Sequence, residues 1–251
     1  MNLFEAIKQK KTLVFGHRGA SADAPMNTLE AFELAAEMGA DGVELDVHRS
    51  ADGRLVIVHD FTVDGSTNGT GEVSEMTLGQ LKALDAGSWK APQFAGAKIP
   101  TLDEVFEAVG QKYFINVEIK SMSIETDGIE QLVAELIERY NMADRVVVSS
   151  FNPLAIQRFK AIAPHVAIGY LTADDVPAEI TAYAEGMTYE AYHPYEKSIT
   201  PEMVQEMASK GVIVNTWTVN DPARAVELAE MGVSVIITDK PDLIKEAINS
   251  R

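Results

Sequence analysis

The chain has 251 residues, 46% hydrophobic and 24% charged, enough for one barrel-sized domain or two small ones with an ample core. It contains no cysteine, which excludes disulfides, thiolate zinc sites and a cysteine nucleophile. A net charge of −17 repels nucleic acid and anionic lipid headgroups, so an anionic substrate would need a local cluster of Arg, Lys or metal to overcome the general field.

At the N-terminus the lysines follow the first apolar residues, and the apolar run after them is too short for an export signal. No stretch approaches transmembrane length, so a cytoplasmic protein without stable membrane association is expected. From residue 12 onward, short β-branched runs alternate with helical patterns. TLVFGHRG (12–19) reads as a strand, followed by a helix near 28–38 that Asn27 or Thr28 could cap and Gly39 stops. DGVELDVHRS (41–50) is the second strand, and six more are expected at 113–120, 145–151, 166–171, 189–194, 212–219 and 233–239. Helices near 127–140, 153–162, 201–209, 222–231 and 241–249 lie among them. Three of these open on a capping residue and a proline (Asn152-Pro153, Thr200-Pro201, Asp221-Pro222), a strong start signal because proline's missing N–H is not needed there.

Eight strands alternating with helices over this length point to an α/β chain folded as a (β/α)₈ TIM barrel. A doubly wound open sheet is the alternative, but GHRGAS after the first strand is not its usual glycine fingerprint. Residues 61–100, rich in Gly, Thr and Ser, fall outside the rhythm. With one short helix from Thr77 (capped with Gln80) and a Pro100-Thr101 start to the next, they are expected to form a small cap at one barrel mouth, so that 1–251 is a single domain.

The segment ELDVHRSADGRLVIVHD carries the most useful geometry. Asp52-Gly53 between two apolar-patterned runs is a strong signal for a two-residue hairpin turn. That turn sets Ala51 opposite Arg54 and His59 opposite Asp46, and strand parity puts Glu44, Asp46 and His48 on one face. Two acids on an inward face repel each other unless a divalent cation or neighbouring bases offset them. Glu118 adds a third carboxylate, while Arg18 and Lys120 could pair with the acids or form a local phosphate site. Three carboxylates without Cys or paired His ligands favour Mg²⁺ or Ca²⁺ over Zn²⁺. These residues sit late in their strands, as do His17, Trp217 and Asp239, where barrels place their sites.

The ordered set His17-Arg18-Gly19, Pro25-x-Asn27-Thr28, Glu44-Leu45-Asp46-Val47, His59-Asp60, Thr67-Asn68-Gly69-Thr70-Gly71, Glu118-Ile119-Lys120, Ser149-Ser150-Phe151, Trp217-Thr218-Val219-Asn220 and Thr238-Asp239-Lys240-Pro241 resembles the glycerophosphodiester phosphodiesterase family over nearly the whole chain. The resemblance implies a (β/α)₈ barrel with an insertion after the second strand region. It also implies His17 and His59 as general acid and base, and Glu44, Asp46 and Glu118 as ligands of a divalent cation, Mg²⁺ or Ca²⁺. Arg18 and Lys120 then bind phosphate, and Trp217 walls the glycerol or the leaving group. The implied reaction hydrolyses a small-molecule glycerophosphodiester to glycerol 3-phosphate and an alcohol. Two departures stand out: Met26 replaces the family's usual Glu, and Val63-Asp64-Gly65-Ser66-Thr67 replaces an Arg-containing stretch.

Among the other candidates, His48 is expected to be exposed or one layer behind the carboxylates. His165 reads as a loop residue, and His193 and Tyr192 could line the mouth. Ser149 and Ser150 have no evident base, which argues against a serine nucleophile. Two further readings compete: a phospholipase-type barrel whose substrate hydroxyl attacks to give a cyclic phosphate, and a phosphodiester-binding barrel whose turnover Met26 has impaired.

Overall fold

Short Val- and Ile-rich runs are satisfied best when buried on both faces, and in this chain they are. The structure, a computed structural model, describes every residue except Met1, Lys11, Gln111, Asp174, Asp175 and Arg251. The strands are β1 (Leu13–His17), β2 (Gly42–Arg49), β3 (Leu55–Ile57), β4 (Phe114–Ile119), β5 (Val146–Ser150), β6 (Ala167–Thr172), β7 (Ala191–Pro194), β8 (Ile213–Thr216) and β9 (Val235–Thr238). Eight of them pair in parallel in the order β1-β9-β8-β7-β6-β5-β4-β2, and a β1–β2 pairing closes the ring. This is the (β/α)₈ barrel that the alternation predicts. The remaining strand, β3, pairs with β2 and is antiparallel to it.

The helices are α1 (Leu3–Lys10), α2 (Leu29–Glu37), α3 (Leu78–Ala83), α4 (Leu102–Val105), α5 (Ile129–Arg139), α6 (Pro153–Ile162), α7 (Ala178–Thr181), α8 (Pro201–Ser209), α9 (Pro222–Met231) and α10 (Pro241–Asn249). A π-helical turn at Phe106–Gly110 continues α4. Capping chemistry behaves as the sequence reads: Asn152, Thr200 and Asp221 each accept a backbone N–H ahead of a first-turn proline. Thr77 and Gln80 form a capping box. Thr28 caps α2, which leaves the Asn27 side chain for another use.

Two helices are additions to the reading. The short α7 lies outside the expected helices. The N-terminal α1 is opened by a reciprocal Asn2–Glu5 pair, a capping signature that eight residues of modest amphipathicity do not make conspicuous. Leu3, Ala6 and Ile7 of α1 pack on Leu13, Phe114, Ala167, Ala191 and Val235, the first residues of five strands. The floor of the barrel is thereby plugged, leaving the opposite end as the open mouth. Residues beyond β3 build a small apolar cluster of their own, including Val58, Val63, Val73, Leu81, Ala86 and Ile99.

Asp41, just ahead of β2, ties the floor together. Its carboxylate accepts the Val14 N–H at 3.0 Å, meets Lys10 at 2.6 Å and also binds Lys245 of α10. Burial pushes this carboxyl up, but Lys10 and Lys245 outweigh it and hold the group below its ordinary value. A depressed carboxylate contributes stability that is present above its unfolded value, about 3.9, and lost as pH falls through the folded value. Asp41→Ala should therefore cost about 2–4 kcal/mol at pH 7 and flatten the acid limb of a urea-unfolding stability curve. An unchanged acid limb would contradict this role.

Candidate active site

The β1 turn places the first site residues. Arg18 and Gly19 both have positive φ, and a Cβ on Gly19 would lie 2.5 Å from the Ala31 carbonyl carbon, so only glycine lets the turn sit against α2. The register of adjacent strands does the rest. His17 lies beside Glu44 across β1–β2, and Asp46 beside Glu118 across β2–β4. One oxygen from each of Glu44, Asp46 and Glu118 falls within 4.8 Å of the others, and all three residues are buried.

His59 reaches this cluster by a route different from the one the hairpin predicts. The pairs are Val47–Ile57, His48–Val56 and Arg49–Leu55, one residue out of the expected register. The turn has three residues, not two. Ser50 N–H donates to the Arg54 carbonyl, Gly53 N–H donates to the Ser50 carbonyl, and Gly53 takes a left-handed φ of 76°. Val58, not His59, therefore opposes Asp46. His59 lies past the end of β3, where the strands part, and there it turns to the cavity and still feels the Asp46 charge.

A cavity of about 530 Å³ gathers seven of the eight singled-out side chains: His17, Arg18, Glu44, His59, Glu118, Lys120 and Trp217. The eighth, Asp46, is 1% exposed and lies against Arg18 (3.3 Å) and Lys120 (3.4 Å). Lys120 also meets Glu118 at 2.8 Å. Glu44 receives the Arg18 backbone N–H at 3.1 Å but, among the described residues, no side-chain ion pair. Phe61, Met122, Phe151 and Leu171 supply an apolar wall beside Trp217, whose indole is fixed by an N–H bond to the His193 carbonyl at 3.1 Å.

Three acids facing two cations leave one negative charge in excess. Burial, and then the Asp46 and Glu118 charges, hold the Glu44 carboxyl well above its ordinary value. Burial would raise Asp46 too, but Lys120 and Arg18 outweigh it and keep that group ionised. Glu118 is raised, mainly by burial, against the pull of Lys120. Asp46 Oδ1 and Asn27 Oδ1 are buried without a hydrogen bond among the described residues, while Asn27 Nδ2 donates to Asp46 Oδ2 at 2.8 Å. Unmatched hard oxygens beside excess negative charge fit a divalent cation. Simple pairing with Arg18 and Lys120 explains Asp46 and Glu118 but not Glu44.

Each histidine is held through Nδ1. His17 bonds Asp239 at 2.7 Å, and His59 bonds Asp60 at 2.6 Å, which leaves Nε2 of both rings for a ligand. Asp239 is itself held by Ser21 Oγ (2.8 Å) and Asn220 Nδ2 (2.6 Å). Burial lowers His59 despite the Asp46 charge, so at neutral pH the ring is chiefly uncharged. Sequence reasoning placed Asp239 at a strand end but gave it no partner, since 222 residues separate it from His17. Asn27, Ser21, Asn116 and the apolar wall were likewise beyond it.

The remaining candidates divide clearly. His48 is not exposed. It is buried behind the His59 loop, with Nε2 3.4 Å from the His59 carbonyl, and burial lowers it to about 4. His193 does not line the mouth. It is fully buried, bonded to Asn215 at 3.0 Å and lowered by burial to about 3. Tyr192 borders a neighbouring pocket instead of the cavity. Ser149 accepts from Asn116 and Ser150 donates to the Ile119 carbonyl, which occupies both as structural groups.

The sequence profile of the glycerophosphoryl diester phosphodiesterase family matches residues 17–243. The chain belongs to this family. A glycerophosphodiester phosphodiesterase of Caldanaerobacter subterraneus is 44% identical over 237 residues, covering 93% of this chain and 96% of that one. A Bacillus altitudinis glycerophosphodiester phosphodiesterase is 37% identical, with 92% and 96% covered. Among solved structures, a phosphodiesterase of Oleispira antarctica in complex with the product sn-glycerol-3-phosphate superposes with a TM-score of 0.84 at 32% identity, covering 94% of this chain and 96% of that one. A glycerophosphodiester phosphodiesterase of Agrobacterium tumefaciens gives 0.81 at 31%, with 94% and 99% covered. Among the described residues, no helix is long and apolar enough to cross a membrane.

A raised carboxyl costs stability as pH climbs from its unfolded value, about 4.3, through the folded one. Metal-free Glu44→Gln protein should therefore melt a few degrees above the parent at pH 8, and the gap should close by pH 5. In the same melts, the gain that Mg²⁺ or Ca²⁺ gives the parent should disappear. A variant that melts below the parent at pH 8 would contradict the charge imbalance.

Proposed function

We propose that the chain hydrolyses glycerophosphodiesters to glycerol 3-phosphate and an alcohol, with His17 and His59 as the acid–base pair. The observation that carries this reading is the convergence on one cavity of two Nδ1-tethered imidazoles, a three-carboxylate cluster and two cations. The Oleispira relative holds the corresponding product, which supports a small-molecule diester as substrate.

Arg18 and Lys120 neutralise the bound phosphate, and Trp217 offers an apolar wall to the glycerol or the leaving group. His59, kept neutral by burial, accepts a proton at Nε2 from the attacking hydroxyl, whether water's or the substrate's own. His17, oriented through Nδ1 by Asp239, donates from Nε2 to the departing alcohol oxygen. Glu44, Asp46 and Glu118 would hold Mg²⁺ or Ca²⁺, which when bound polarises the phosphoryl oxygens and acidifies the attacking hydroxyl.

Residues 1–251 act as one catalytic unit in this reading, with 61–100 as the cap that brings Phe61 to the cavity. The acidic surface keeps nucleic acid and anionic membranes away and suits a cytoplasmic enzyme of glycerol and lipid metabolism.

Incubation with glycerophosphocholine should release glycerol 3-phosphate, and EDTA should stop it. His17→Ala and His59→Ala should each lower kcat by roughly 10²–10⁴-fold. A cyclic phosphate product would identify attack by the substrate hydroxyl. Binding without release would identify a barrel impaired at Met26. Undiminished activity in either histidine variant would refute the assigned roles.

A further inference from the structure

His17 and Arg18 form a shared wall. On its far side from the apolar cavity lies a second cavity of about 320 Å³, bordered by Met26, Trp89, Lys90 and Lys240. Its charged lining is Arg18, Lys90 and Lys240 against a single acid, Asp239. Neither Lys90 nor Lys240 has a carboxylate partner among the described residues. Lys90 is held in place by the carbonyls of Ser21 (2.8 Å) and Ala22 (2.7 Å), which fix its charge without neutralising it. Arg18, paired through Nε with Asp46 at 3.3 Å, meets the Met26 sulfur through Nη1 at 3.4 Å. The one acid in the lining, Asp239, is occupied by His17, Ser21 and Asn220. Trp89 is 42% exposed, and its indole is fixed by an N–H bond to the Ala86 carbonyl at 2.8 Å, so a ring face is presented in a set orientation.

A phosphodiester has two arms, and a phosphate set against Arg18 and Lys120 must send them in different directions. The apolar wall beside Trp217 suits the uncharged arm. Two lysines without a carboxylate partner among the described residues, beside Arg18 and an aromatic plate, in a chain of net charge −17, suit an anionic one. We infer that the second cavity is a leaving-group subsite selective for a polyol that carries a further phosphate. Cationic head groups such as choline and ethanolamine are then disfavoured there. The inference rests on the phosphodiesterase reading above and adds the class of alcohol to it. In chemical terms the P–O bond to the phosphorylated polyol breaks, the new oxygen bonds to phosphorus, and the departing polyol oxygen takes up the proton. Met26 belongs to this selectivity, because a carboxylate at that position would return a negative charge to the cavity.

The test is a charge series of diesters: glycerophosphocholine, glycerophosphoglycerol and bis(glycerophospho)glycerol, with glycerophosphoinositol phosphate as a second phosphorylated polyol. The parent should show its lowest KM on the phosphorylated polyols, and that KM should rise with added NaCl. Lys240→Gln should raise it about fivefold or more. It should neither lower kcat nor raise KM for glycerophosphocholine by more than about twofold, and Lys240→Arg should restore the parent value. Which phosphorylated polyol has the lower KM distinguishes a glycerol from an inositol source. Equal changes on all diesters, or none, would overturn the subsite. If the parent releases glycerol 3-phosphate from no diester, the hydrolase reading fails and binding alone decides the subsite. His59→Ala protein, altered outside this cavity, should then bind bis(glycerophospho)glycerol about fivefold or more tightly than glycerophosphocholine by calorimetry. Adding Lys240→Gln should abolish that difference, and equal Kd values without it would likewise overturn the proposal.

Discussion

The site is organised by a charge imbalance: three buried carboxylates within 4.8 Å of one another, and two cations to answer them. Each acid alone is affordable. Asp46 has Arg18, Lys120 and the Asn27 amide, and Glu118 has Lys120. Glu44 has a single backbone N–H among the described residues, and burial beside the other two acids holds its carboxyl well above its ordinary value. A protein tolerates such a cluster only where the surrounding structure over-determines it, and here the barrel does so. The β1–β2 and β2–β4 registers leave these side chains no other place to go.

The rest of the fold serves that constraint. Plugging the floor with α1, and tying α1, β1 and α10 through Asp41, closes one end of the barrel and confines polar function to the other. The interior below the site is not wholly apolar. Asn116 with Ser149 and His193 with Asn215 form two buried hydrogen-bonded pairs, and Asn215 sits one strand position before Thr216. Above, the two imidazoles are fixed separately, His17 by a carboxylate just past the last strand and His59 by its own neighbour. Asp239 is the less exposed of these partners and has the fuller set of bonds, so His17 is the more rigidly held ring.

Much of this was legible in the sequence because its signals are local. Strand and helix alternation, the Asn-Pro, Thr-Pro and Asp-Pro helix starts, the Thr77 capping box and the parity of Glu44 with Asp46 all act over a few residues. The hairpin register failed by one residue because Asp52-Gly53 also suits a three-residue loop, in which only Gly53 takes the left-handed conformation. His59 reached the cavity nonetheless, since it lies beyond the paired segment. The burial of His193 and the grip of Asp239 on His17 depend on barrel closure between distant strands, which no local pattern encodes.

The central claim is that Glu44 carries the unanswered charge and that a divalent cation answers it. Calorimetric titration of Mg²⁺ and Ca²⁺ in buffers of different ionisation enthalpy measures both the binding and the protons released with it. One saturable site is expected, with release of a proton held by the raised Glu44 carboxyl, a release that is lost in Glu44→Gln. No saturable binding, or equal proton release in parent and variant, would contradict the account.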